Sequence, residues 1–144
     1  MTPNREKDEE AVKKWVDTYL ALAKKGDVEK WYQLWADDAI MFPPNRKPVE
    51  GIEAIKELIG PGFGKYDIKH DTHYLDIKTD TSIAYASYGG VEKSTPKEGG
   101  KSIAKENKCI WILRREPDNS WKATHCIWSP NQPPDENPSY AYEG

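Results

Sequence analysis

The chain is poor in the residues that metal and thiol chemistry draw on. Its 144 residues include two cysteines, three histidines and two methionines. Cys109 and Cys126 fall in no C-x-x-C or other ligand spacing, which argues against a structural zinc site and a redox motif. His70 and His73 are three apart in a segment that reads as extended, where such a pair points to opposite faces, so no metal is expected. Long apolar runs are also missing. None approaches the roughly 20 residues that span a bilayer. Residues 1–10 are charged and lack the apolar stretch of a secretory signal, so the expected location is the cytoplasm. A basic stripe is absent as well: net charge is −3 with the signs interspersed, which speaks against a nucleic-acid partner. Gly60-Pro61-Gly62-Phe63-Gly64 follows a helix rather than a strand, and its proline lacks the N–H that a phosphate cradle needs. No cofactor is expected, and no nucleophile triad is evident from spacing.

What the chain has instead is six Trp and eight Tyr against two Phe. These side chains pair a large apolar body with a polar tip and suit a half-wet cavity or an interface; filling a small core is the plainer use. At this length one domain is expected, over residues 1–130. Residues 131–144 are Pro-rich and aperiodic and read as loop or disordered tail, which Tyr140 and Tyr142 could tuck onto the body.

Apolar residues recur at helical spacing over 8–25, with Asp8, Glu9 and Glu10 in the first turn and Gly26 as the stop. Asp27 reads as the N-cap of a second helix running to Ala36, which Asp37-Asp38 would break as caps and turn formers. A short strand over 39–42 and a third helix over 52–59 follow. From Tyr66 the period changes to two, giving strands near 66–78, 82–94, 102–115 and 120–129. Helices first and an antiparallel meander after them indicate an α+β domain.

Three stretches carry a family likeness. One runs from Tyr19 through Gly26-Asp27 to Ala36-Asp37-Asp38-Ala39. A second is Phe42-Pro43-Pro44 with Val49-Glu50-Gly51-Ile52-Glu53-Ala54-Ile55. The third joins Trp111-Ile112-Leu113-Arg114-Arg115 to Asp118-Asn119-Ser120-Trp121-Lys122 and Ile127-Trp128-Ser129. In this order the chain resembles the nuclear-transport-factor-2-like superfamily, especially its SnoaL-like and ketosteroid-isomerase-like members. The resemblance implies a cone-shaped roll, with three N-terminal helices packed in a strongly curved, mainly antiparallel sheet. It implies a pocket at the open end and a homodimer through the outer face of the sheet. It does not imply one function, because the fold hosts isomerases, cyclases, dehydratases and non-catalytic modules.

The resemblance also sets the site expectations. Tyr19 lies seven residues before Gly26, as the family's donor tyrosine does, and is a candidate donor to a ligand oxygen; a core tyrosine bonded to a carbonyl is the alternative. The isomerases' catalytic aspartate has no counterpart, because Pro43 stands in its place. His125, in the last strand, is the candidate proton carrier if it lines the pocket rather than the dimer interface. With strict alternation, 121, 123, 125 and 127 share one face of that strand. Trp15, Trp35, Met41, Trp111 and Trp128 are candidate walls. Tyr85 and Asn107 are candidate polar groups, with Tyr85 and Tyr88 on opposite faces of their strand. The expected partner is a small apolar or aromatic molecule, with an isomerase, cyclase or dehydratase, a ligand carrier and a dimeric association module all open. Cys109 and Cys126 are cross-strand neighbours in the last hairpin, where a disulfide is conceivable and two buried thiols are expected.

Overall fold

The computed structural model describes residues 4–131. The tail and its tyrosines Tyr140 and Tyr142 lie outside the described residues. Helix α1 spans Arg5–Lys25, three residues earlier than the periodicity suggests, because Asn4 caps it. The Asn4 Oδ1 accepts from the Lys7 N–H at 3.1 Å. Gly26 ends the helix at φ 80, a left-handed conformation that costs glycine little, and its N–H closes onto the Leu22 carbonyl. Asp27 caps α2 (Val28–Tyr32), its Oδ1 accepting from the Lys30 N–H.

The second helix is shorter than expected. Strand β1 takes over at Trp35 and runs to Phe42. Trp35 pairs with Ala123 in a parallel ladder, so long-range pairing overrides the helical spacing of Trp31, Leu34 and Trp35. Asp37 and Asp38 are accordingly exposed strand residues in an irregular stretch, rather than a helix break. Strand β2 (Val49–Glu50) and helix α3 (Ile52–Ile59) follow, then a single 3-10 turn at Gly60–Gly62.

The meander forms as the period-two pattern requires: β3 Tyr66–Thr79, β4 Ile83–Pro96, β5 Ile103–Arg115 and β6 Trp121–Pro130. Among the described residues the strands make one sheet in the order β2-β1-β6-β5-β4-β3, with only β1 and β6 parallel. It is an α+β architecture in which a curled, unclosed, mainly antiparallel sheet packs against the helices. Helix α1 lies on β3 and β4, and α3 lies against β1.

Two bulges decide which side chains face the helices. On β3, Tyr74 pairs with Tyr88 but Asp76 pairs with Ser87, so Leu75 is the extra residue. On β6, Ala123 pairs with Leu113 but His125 pairs with Ile112, so Thr124 is extra. The strict alternation expected for β6 therefore fails. Trp121 and Ala123 are buried, and beyond the bulge the buried position is Cys126, while Ile127 is exposed. The core is aromatic. Trp15 and Trp35 both pack on Trp111, with ring centroids 5.1 and 5.2 Å apart.

Candidate functional site

A cavity of about 180 Å³ opens between the helices and the inner face of the sheet. Its apolar end is built by α1, α2 and the segment after α3. Tyr19 from α1 sits 4.6 Å from Trp111 and 5.3 Å from Trp31, ring centre to ring centre. Phe63 closes on Trp31 at 5.3 Å. Met41, from β1, pairs in register with Cys126 and lines the same end.

The sheet supplies the rest in cross-strand rows. Trp111 stands beside Cys126, Tyr88 beside Cys109 and then Trp128, and Thr72 beside Gly90 and then Asn107. All these side chains line the cavity. Gly90 lets the β3 backbone approach closely at the centre of the sheet, since a Cβ there would run into the Asp71 carbonyl oxygen. Gly90→Ala is expected to destabilise the fold by about 1–3 kcal/mol through overpacking, read as a lower Tm.

The last row carries the ionisable groups. His70 on β3, Glu92 on β4 and Lys105 on β5 pair in register. His70 Nε2 lies 3.4 Å from Glu92 Oε2. The Ser94 hydroxyl donates to Glu92 Oε1 at 3.2 Å. Lys105 is only 4% exposed. Burial pushes the Glu92 carboxyl up, but His70, Ser94 and the Lys105 charge together outweigh it and hold the group below its ordinary value. Glu92 is therefore ionised at neutral pH. Both His70 and Glu92 line the cavity.

Tyr88 is the buried phenol of the site. Its oxygen accepts from Trp111 Nε1 at 3.0 Å. Burial pushes its pKa well above the ordinary value, helped by Cys109, Tyr19 and Cys126 and opposed by the Trp111 N–H, so the phenol keeps its proton.

The structure thus brings Tyr19, Met41, Asn107, Trp111 and Trp128 to one cavity and leaves other candidates outside it. Trp15 and Trp35 are buried behind the wall, supporting Trp111 rather than touching the space. Tyr85 is 38% exposed on the outer face, where its hydroxyl donates to Asp76 Oδ2 at 2.6 Å. Tyr88, one face over, occupies the inner position. His125 also lies outside. Displaced by the Thr124 bulge, it stacks on Phe42 at 6.4 Å, with Nδ1 2.9 Å from Thr124 Oγ1. The role assigned to it has no geometric basis. Pro43 is buried at the end of β1 and carries no titratable group.

The histidine that does reach the cavity is His70, while His73 is exposed on the opposite face. Sequence reasoning missed the pair His70–Glu92 because the Leu75 bulge sets its register; without the bulge His70 would oppose Lys93. Among the described residues no group of three or more His, Cys, Asp or Glu is arranged to hold a metal ion. No described helix is long and apolar enough to cross a membrane.

Cys109 and Cys126 are both free thiols lining the cavity, with sulfurs 3.9 Å apart. They are diagonal rather than directly opposed, since Cys109 faces Trp128 and Cys126 faces Trp111. Burial, with Cys109 beside it, pushes the Cys126 thiol well above its ordinary pKa. A thiol reagent at mildly alkaline pH is expected to find two thiols in unreduced, unfolded protein and to react far more slowly with the native form. No thiol on unfolding would contradict this arrangement.

Comparison with known proteins agrees with the geometry. No curated protein sequence matches the chain significantly. Among solved structures, a proposed dehydratase of the NTF2-like family from Streptomyces avermitilis superposes with TM-score 0.80 at 17% identity, over 89% of this chain and 99% of that one. A ketosteroid isomerase-like protein from Erwinia carotovora atroseptica gives 0.76 at 16% identity, over 88% and 98%. An NTF2-like protein with a cystatin-like fold from Novosphingobium aromaticivorans gives 0.66 at 20%, over 95% and 87%. At such identities the likeness is one of fold. The SnoaL-like domain model matches residues 4–127, nearly all of the described chain, and the protein therefore belongs to the SnoaL-like domain family within the NTF2-like fold.

Proposed function

We propose that the cavity binds a small, largely apolar molecule bearing a carbonyl and that His70 removes a proton from the carbon next to it. The observation that carries this reading is the His70–Glu92 contact of 3.4 Å inside an aromatic-lined cavity. An ionised carboxylate beside Nε2 favours the tautomer with hydrogen on Nε2 and leaves the Nδ1 lone pair as the base. An imidazole with that lone pair free is a general base held in orientation by a carboxylate. As the C–H bond breaks, its electron pair moves onto the carbonyl oxygen. The protonated Tyr88 and the Thr72 hydroxyl, two residues from His70 on β3, are the donors in the wall that suit that developing charge. Where a β,γ double bond of the substrate extends the enolate, return of the proton to the γ-carbon completes an isomerisation. Departure of a β-hydroxyl, taking the proton from the imidazolium to leave as water, completes a dehydration. Both begin with the same step, and neither uses an aspartate at position 43. The test is exchange of the α-hydrogens of cyclohexanone in D2O, followed by NMR. Exchange faster with protein than with buffer is expected; equal rates would leave the cavity as a binding site without this chemistry.

A second copy of the chain is the partner that the outer face of the sheet suits. Ile83, Tyr85, Ile110 and Ile127 are 53, 38, 47 and 51% exposed there, and Ile110 and Ile127 are direct cross-strand neighbours. Contiguous exposed apolar surface of this kind favours self-association. Light scattering is expected to give twice the 16.5 kDa chain mass. The double variant Ile110→Lys with Ile127→Lys is expected to run as a monomer with unchanged circular dichroism. A monomeric wild type would overturn the assignment.

A further inference from the structure

We infer that the ligand of this cavity is an uncharged single-ring compound with its oxygen function directed to the His70–Asn107 side, and neither a fused-ring molecule nor a carboxylate. The inference rests on the reading of the cavity as a ligand site and narrows the class of molecule.

Size is the first argument. An enclosed apolar cavity of about 150 Å³ holds one benzene ring. The space here, about 180 Å³, accommodates a ring with a few substituents. Its far wall is close-packed, with Trp111 and Met41 1 and 2% exposed and Trp35 behind Trp111 at 5.2 Å, so a second fused ring on that side would have to displace buried side chains.

Charge is the second argument. No lysine or arginine is among the described residues that line it, and the carboxylate that is there, Glu92, has His70 against it and the Lys105 charge acting on it from the neighbouring strand. The polar end is therefore already balanced. An anion entering would lose its water beside the Glu92 carboxylate, whose partners His70 and Lys105 are already engaged with it, and a cation would compete with those partners for Glu92. A neutral carbonyl or hydroxyl needs only hydrogen bonds, and it is these that the polar wall supplies.

Polarity sets the orientation. Tyr19, Trp31, Phe63 and Trp111 crowd the end near the helices, while Thr72, His70 and Asn107 project from β3 and β5. A ring stacked at the first end puts its oxygen substituent at the second.

Tryptophan fluorescence of the wild-type protein reads binding directly, since Trp31, Trp111 and Trp128 line the space. Four probes separate the terms: cyclohexanone, benzoate, benzylamine and androstenedione. Saturable binding of cyclohexanone is expected, with the two ions weaker by at least about tenfold and no saturable response to the steroid. Benzoate or benzylamine binding as well as cyclohexanone would overturn the charge argument. Saturable steroid binding would overturn the size argument, and no binding of cyclohexanone would overturn the inference whole. Binding of cyclohexanone without acceleration of its α-hydrogen exchange would refute the proton-transfer reading and leave this one standing.

Discussion

Replacing His70 with Gln removes the base without removing a polar side chain, and the α-hydrogen exchange of a bound carbonyl compound falls by about 10²–10⁴-fold. Cyclohexanone affinity changes little, because the aromatic end that holds the ring is untouched. A variant that binds and exchanges like the wild type would remove His70 from the chemistry. Glu92→Gln keeps the shape but leaves the His70 tautomer unfixed, so its exchange rate falls too, by less than in the His70 variant. The same substitution has a second signature. The folded-state pKa of Glu92 lies below its unfolded value of 4.5. The unfolded chain therefore binds more protons over that range, and stability rises with pH there. The contribution is complete above the unfolded value and is lost as pH falls through the lowered folded value. Thermal melts between about pH 3 and 6 are thus expected to show a shallower acid loss in Glu92→Gln than in the wild type. Identical slopes would mean that the His70–Ser94–Lys105 environment does not act on Glu92 in solution.

The second large effect is on stability. Trp35 is 1% exposed and packs on both Trp31 and Trp111. Trp35→Ala is expected to cost about 3–5 kcal/mol in urea denaturation, a large share of the roughly 5–15 kcal/mol that holds a domain together. Because Trp35 supports the cavity wall from behind, the variant is also expected to bind cyclohexanone more weakly at temperatures where it remains folded. A loss under about 1 kcal/mol would mean that the site can collapse around the missing ring.

The elements of this fold were legible wherever local chemistry decides them. Asp27, Gly26 and the Gly60-Pro61-Gly62 stop mark helix ends by capping and backbone preference, and the change to period two at Tyr66 marks the sheet. The family likeness added the curled sheet. Trp35 was misassigned to a helix because its strand character comes from pairing with Ala123, far away in sequence. The site was legible only in part, and for one reason. Tyr19 sits on a helix, where the face follows from spacing. His125, Tyr85, His70 and Glu92 sit on strands, where one extra residue reverses the face or shifts the partner. The bulges at Leu75 and Thr124 have no marker such as glycine or proline in the sequence. They move His125 out of the candidate site and bring His70 opposite Glu92.

Which ring nitrogen of His70 carries hydrogen in the folded protein can be read from ¹⁵N NMR of the imidazole, with His70→Gln used to assign the signals. Hydrogen on Nε2 and a free lone pair on Nδ1 are expected, with that preference weakened in Glu92→Gln. Hydrogen on Nδ1 in the wild type, or a tautomer indifferent to Glu92, would contradict this reading of His70.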